Sequence, residues 1–153
     1  MYKSEQSMVC NMKEVRGLSI FLVILMTVTS IFPALLSSIG AAPMSSHSPI
    51  SINGNAAFTA GNGVVAGTGT EADPYIFENY TINASTAHGI RIQNTDKPFI
   101  IRNCSIVDGN YGGNNYYGIY LTDAQNGDIE NCTFTSNHYH IYLSNSEIGR
   151  AHV

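Results

Sequence analysis

Basic side chains are scarce: the 153 residues hold 7 Lys and Arg against 11 Asp and Glu, and beyond residue 43 the cations Arg91, Lys97, Arg102 and Arg150 form no run. Neutralising a phosphate backbone takes clustered cations, so nucleic acid is not expected as a partner. Material for metal chemistry is equally thin. His47, His88, His138 and His140 are scattered and no Met or Cys cluster accompanies them, so neither a soft-metal site nor any cofactor is expected. Asp108-Gly109-Asn110 opens like a calcium loop, but no carboxylate closes it at the required distance. Helical spacing of apolar residues is missing beyond residue 43 as well. In its place isolated Ile and Val recur in short β-branched runs among Asn, Gly, Ser, Thr and Tyr, a composition of strands and turns rather than of a disordered chain.

One long uncharged run stands apart from this pattern. Residues 18–36 carry no charge, follow a polar stretch with Lys3, Lys13 and Arg16 against Glu5 and Glu14, and lead into small residues at 37–42. A charged start, an apolar middle and a small-residue exit make a secretory signal peptide, with cleavage expected between Gly40 and Ser45. A retained membrane anchor is the alternative, since roughly 20 apolar residues cross a bilayer; Pro33, Thr27, Thr29 and Ser30 weaken it. Either way residues 1–42 send the remainder out of the cytoplasm, and membrane contact is limited to this segment if it stays uncleaved.

The remainder repeats itself. Phe77-Glu78-Asn79-Tyr80-Thr81-Ile82, Ile101-Arg102-Asn103-Cys104-Ser105-Ile106 and Ile129-Glu130-Asn131-Cys132-Thr133-Phe134 share one pattern: apolar, charged, Asn, Cys or Tyr, Ser or Thr, apolar. Gly89-Ile90-Arg91-Ile92, Gly118-Ile119-Tyr120-Leu121 and His140-Ile141-Tyr142-Leu143 interleave with them. The Asn positions lie 24 and then 28 residues apart, and the longer interval holds the Gly/Asn-rich loop 108–115. Short alternating strands at a period in the low twenties fit a solenoid in which each turn adds a rung. Alternation points Ile90, Ile92, Ile101, Ile106, Ile119, Leu121, Ile129 and Ile141 inward and Arg91, Tyr120 and Tyr142 outward. It breaks at Asn103, where a left-handed bend restores the phase.

The Ile-x-Asn-x-x-Ile and Gly-Ile-x-Leu units resemble the repeats of the NosD-like and pectate-lyase-like superfamily. Residues 50–76, from Ile50-Ser51-Ile52-Asn53 to Asp73-Pro74-Tyr75-Ile76, look like the lead-in of archaeal and bacterial surface proteins of that group. The resemblance covers residues 48–146. It implies an all-β fold, a right-handed parallel β-helix of about three rungs preceded by an N-terminal signal helix, with a lead-in or cap at 43–76 and repeats at 77–146. Glu147-Ile148-Gly149-Arg150-Ala151-His152-Val153 breaks the pattern and resembles the in-frame translation of a sequencing adapter. Residues 147–153 are therefore read as a non-native tail on a C-terminally truncated chain.

Several residues invite functional readings. Asn79, Asn83, Asn103 and Asn131 each begin an N-glycosylation pattern. Asn79, Asn103 and Asn131 are expected to stack as a hydrogen-bonded structural ladder, leaving Asn83 as the modification site in a surface loop. Cys104 and Cys132 occupy one repeat position on successive rungs, making them disulfide candidates in an exported chain; in-register side chains run parallel, which favours a buried thiol ladder instead. Asn94-Thr95-Asp96 is similar to the first acidic motif of pectin-cleaving hydrolases of this fold, with Asp123 its only visible partner. A turn rich in Asn and Asp that caps a strand explains the same residues. Arg91, Tyr120 and Tyr142 form an outward column suited to binding a sugar polymer, or simply to stabilising the wall.

The expected function is an exported cell-surface or secreted module without catalytic activity, whose partner is a polysaccharide or cell-surface matrix. The alternative is the N-terminal fragment of a polysaccharide lyase or hydrolase. A third reading, a NosD-like copper-site maturation factor, follows from the resemblance alone.

Overall fold

The computed structural model describes residues 42–152, so the segment read as a signal peptide lies outside the described residues, apart from Ala42. The described residues wind through twelve short strands. The first coil holds β1 (Ser45–His47), β2 (Ile50–Asn53) and β3 (Tyr75–Glu78), and the second β4 (Tyr80–Asn83), β5 (Ile90–Thr95) and β6 (Phe99–Arg102). The third holds β7 (Ser105–Val107), β8 (Ile119–Ala124) and β9 (Gly127–Glu130), and the fourth β10 (Thr133–Thr135), β11 (Ile141–Ser144) and β12 (Ile148–His152). Equivalent strands pair in parallel into three sheets of four: sheet A (β1-β4-β7-β10), sheet B (β2-β5-β8-β11) and sheet C (β3-β6-β9-β12). The sequence repeat is this winding in a different phase, three turns running from sheet C through A to B, with β1 and β2 ahead and β12 behind.

Corners between sheets are made by residues that accept left-handed backbone. Asn79, Asn103 and Asn131 turn sheet C into sheet A with φ of 59°, 52° and 49°, the bend that the phase break at Asn103 demands. Gly54, Asn94, Asp123 and Asn145 do the same at the exit of sheet B, with φ of 80°, 54°, 50° and 48°. Each bend resets the pleat so that both flanking strands bury their apolar residues.

The interior is a stack of these residues. Ile90, Ile92, Ile101, Ile106, Ile119, Leu121 and Ile129 are fully buried, as the alternation requires. Ile141, on the fourth coil, is only half-buried, and the neighbouring Leu143 is 41% exposed, no further rung of the described residues lying over them. The other end is covered. Residues 54–63, with 3-10 turns at Asn55–Ala57 and Ala60–Asn62, bring Phe58 over the first coil, where its ring stacks on Tyr75 at 4.5 Å and lies 6.1 Å from Phe77. Tyr80 Oη donates to the Gly63 carbonyl at 3.1 Å and ties this cap down.

Two segments outside the sequence repeat also form regular strands. The lead-in supplies β1 and β2 as regular strands of the first coil, in register with β4 and β5. Its polar Ser45-Ser46-His47 gave no strand signal because pairing rather than packing holds it. The tail does not break away: Ile148–His152 pairs with β9, with a register shift between Ile148 and Arg150.

Candidate functional site

The outer wall of sheet B carries the most organised set of exposed side chains. Its register aligns Ser51, Arg91, Tyr120 and Tyr142 in one outward column and Asn53, Gln93, Thr122 and Ser144 in a second, so neither column contains a carboxylate. Just before each strand the chain passes through His88, Tyr117 and Tyr139. The rungs align there through Gly89 N–H to the Tyr117 carbonyl at 3.0 Å and Gly118 N–H to the Tyr139 carbonyl at 2.9 Å. Glycine is required at this approach: a Cβ on Gly89 would sit 2.7 Å from the Gly118 oxygen, and one on Gly118 would sit 2.5 Å from the His140 oxygen.

This crowding folds the preceding rings over the wall. His88 stacks on Tyr120 at 4.7 Å with planes 8° apart, and Tyr120 on Tyr142 at 5.3 Å and 4°. Tyr117 stacks on His88 at 5.0 Å and on Tyr142 at 5.0 Å, with His138 and Tyr139 each 5.6 Å beyond it. Parallel rings this close cannot lie side by side in one plane, so they overlap face to face with an offset. Within the stack the ring faces cover one another. What remains open is ring edge, phenol hydroxyl and the outermost rings, Tyr142 at 37% and Tyr139 at 54% exposure.

His88, like Tyr117, Tyr139 and His138, joins this stack from outside the expected column of Arg91, Tyr120 and Tyr142. Its Nδ1 accepts the Tyr117 N–H at 3.1 Å, which leaves the imidazole proton on Nε2. Burial first, and then the Arg91 charge, hold its pKa below the usual histidine range. The ring laid on Tyr120 from the preceding coil is thus a neutral imidazole rather than the Arg91 guanidinium. Arg91 makes no ion pair among the described residues, and its Nε is buried without a hydrogen-bond partner. Arg102, by contrast, is held by Glu78 at 2.6 Å on sheet C.

The other sequence candidates are separated. Asp96 Oδ1 accepts from Asn55 Nδ2 at 2.9 Å on the coil before it, whereas Asp123 Oδ1 accepts from Asn145 Nδ2 on the coil after it. The register puts Asp123 over Asn94, not over Asp96, so the two carboxylates belong to different columns and engage different coils. Thr95 is buried and its hydroxyl donates to Asn55 Oδ1 at 2.7 Å. The motif works here as a strand cap.

Cys104 and Cys132 are free and buried, and no disulfide joins them. Their sulfurs approach the carbonyls two residues back, at the ends of the preceding strands, Cys104 that of Arg102 at 3.3 Å and Cys132 that of Glu130 at 3.4 Å. The Cys132 thiol beside it and burial push the Cys104 pKa up, so it is a packed thiol rather than a reactive one. Asn79, Asn103 and Asn131 stack through the backbone, Asn79 N–H to the Arg102 carbonyl and Asn103 N–H to the Glu130 carbonyl, with no side-chain ladder among the described residues. Side-chain amide bonds between coils run instead at the sheet B exit, from Asn94 to Asn53 Oδ1 at 2.7 Å and from Asn145 to Asp123. Asn83 ends strand β4 rather than sitting in a loop. Its Nδ2 donates to Asp108 Oδ2 at 2.9 Å and its Oδ1 accepts the Ser85 N–H at 2.9 Å.

A coil of three parallel sheets, each gaining one strand per turn, defines a parallel β-helix protein. Residues 44–151 match the family described as right handed beta helix region, and the chain belongs to that family. No curated protein and no solved structure matches the chain.

Proposed function

We propose that the chain is an exported, non-catalytic surface module of the NosD-like and pectate-lyase-like group that holds a glycan or matrix polymer along the outer wall of sheet B. The observation that carries this reading is the aligned stack of His88, Tyr117, Tyr120 and Tyr142 beside two outward columns that hold no carboxylate. Because the inner ring faces are covered, contact is made through hydroxyls on successive rungs, about 4.8 Å apart along the axis, and through the open Tyr142 ring. Such a ladder suits a hydroxyl-rich chain laid along it. Stacking fixes the rings in advance, so little side-chain entropy is lost on binding. Export is supported by the charge-free segment 18–36 and its small-residue exit.

The test is retention of the soluble chain on a panel of insoluble neutral and acidic polysaccharides. Tyr142→Ala and Tyr120→Ala are each expected to weaken retention about tenfold, the loss of one hydrogen bond with its ring contact, with circular dichroism unchanged. Tyr142→Phe keeps the stack and is expected to lose less than Tyr142→Ala. Failure to bind any member of the panel, or retention indifferent to both alanine substitutions, refutes the assignment to this wall.

A further inference from the structure

We infer that the corner between sheets C and A is a column of N-glycan acceptors, Asn131 and Asn103 foremost with Asn79 behind them, and that Asn83 is not the acceptor. The inference rests on the export reading, since the glycosyl donor is met only outside the cytoplasm. Four Asn residues begin the acceptor pattern, and the structure divides them by what their amides do. The Asn83 amide is engaged at both ends, by Asp108 and by the Ser85 N–H. Asn103 and Asn131 are exposed, and among the described residues neither side chain makes a hydrogen bond. Asn79 is likewise without a side-chain bond but half-buried.

The backbone favours the same three. At each of them the left-handed bend throws the amide outward, the following residue (Tyr80, Cys104 or Cys132) turns into the core, and the hydroxyl residue two positions on returns to the surface. Thr81 and Thr133 are exposed and Ser105 half-buried, so amide and hydroxyl share one outer face at every step. The transfer itself is simple substitution. Asn Nδ2 attacks C1 of a lipid-diphosphate-linked oligosaccharide; the C1–Nδ2 bond forms, the C1–O bond to the diphosphate breaks, and one Nδ2 proton passes to base while the other stays. Nothing in the fold has to give up a bond to accept the sugar at Asn103 or Asn131.

Rung spacing then limits occupancy. Neighbouring acceptors lie about 4.8 Å apart, the width of a sugar ring, so adjacent positions compete, whereas Asn79 and Asn131, two rungs apart, can both be filled. The corner does not border sheet B, which lies between the other two corners, so glycans here leave the aromatic wall open.

The experiment translates the full chain into glycosylation-competent microsomes, once with its own N-terminus and once with residues 1–42 replaced by a proven leader, and maps glycopeptides before and after peptide-N-glycosidase. The expected product carries one or two glycans on Asn131, Asn103 and Asn79 and none on Asn83. Thr133→Val removes the Asn131 pattern without touching its bend and is expected to raise Asn103 occupancy at least twofold. An imported chain that is bare at all three positions, or modified at Asn83 alone, overturns the proposal; unchanged Asn103 occupancy in Thr133→Val overturns the competition between rungs. Glycans on the leader-bearing chain with none on the native one leave the column standing and refute the export reading instead.

Discussion

Ile119 and Ile141 occupy the same inward position of sheet B on successive rungs, and replacing each by Ala measures what a covering coil contributes. Ile119 is 0% exposed, between Ile90 on the rung before and Ile141 on the rung after. Its truncation removes three carbons from a filled interior, about 2.4 kcal/mol at ~0.8 kcal/mol per buried carbon. The cavity left behind adds to that, for a total of about 3 to 4 kcal/mol. Ile141 is half-buried on the last coil. Part of its surface is already wet and the space it vacates opens to solvent, so the same change is expected to cost about 1 kcal/mol. The assay is equilibrium urea unfolding followed by far-ultraviolet circular dichroism, since the chain has no Trp to serve as a fluorescent reporter. With a slope near 2 kcal/mol per molar, the midpoint should fall by roughly 1.5 to 2 M for Ile119→Ala and about 0.5 M for Ile141→Ala. Equal shifts, or a larger one at Ile141, would refute the placement of these residues in a stack that ends at the fourth coil.

Asn103 sits at φ 52°, so Asn103→Gly should leave the thermal midpoint nearly unchanged, whereas Asn103→Val should cost at least 1 to 2 kcal/mol in the same melts. His88 should make stability fall in acid. Its folded pKa is lowered by burial and by Arg91, so the unfolded chain binds the proton more readily. The stabilisation is complete above the unfolded value near 6.5 and is lost as pH falls from there through the folded value. Urea midpoints between pH 7.5 and 5 should drop for the wild type and drop less for His88→Phe; identical slopes would show that His88 does not carry the effect.

The coil was legible because its inward positions answer to one rule. Buried pairs such as Ile90 and Ile92 or Ile119 and Leu121 alternate, and the phase breaks between sheets fall on residues such as Asn79, Asn94, Asn103, Asp123 and Asn131, whose type announces a left-handed bend. What the sequence concealed obeys other rules. Strand β1 is held mainly by backbone pairing, with His47 against the Tyr80 ring its one aromatic contact, and Phe58 plugs the first coil from a stretch with no repeat. His88 joins the aromatic stack because Gly89 and Gly118 let two backbones approach closely, a three-dimensional fact that strand alternation cannot express. Inter-coil amide bonds join Asn94 to Asn53, Asn145 to Asp123 and Asn83 to Asp108 instead of running down the expected column of Asn79, Asn103 and Asn131.

The bend column at the exit of sheet B also decides what its wall presents. Ile119 and Tyr120 are adjacent in sequence and face opposite ways, and a slip of one residue would bury the phenol and expose the isoleucine. Strand length does not prevent that slip, because β5 and β8 each span six residues and would pair equally well one step along. Asp123 within β8 does, fixing a corner at which only one register keeps both flanking sheets apolar inside. It makes no aromatic contact with Tyr120 or Tyr142, yet it determines on which side of the sheet those rings emerge. A change at Asp123 that loosens the bend, such as Asp123→Val, should therefore weaken ligand retention in proportion to the loss of register, and Asp123→Asn, which tolerates the left-handed backbone, should not.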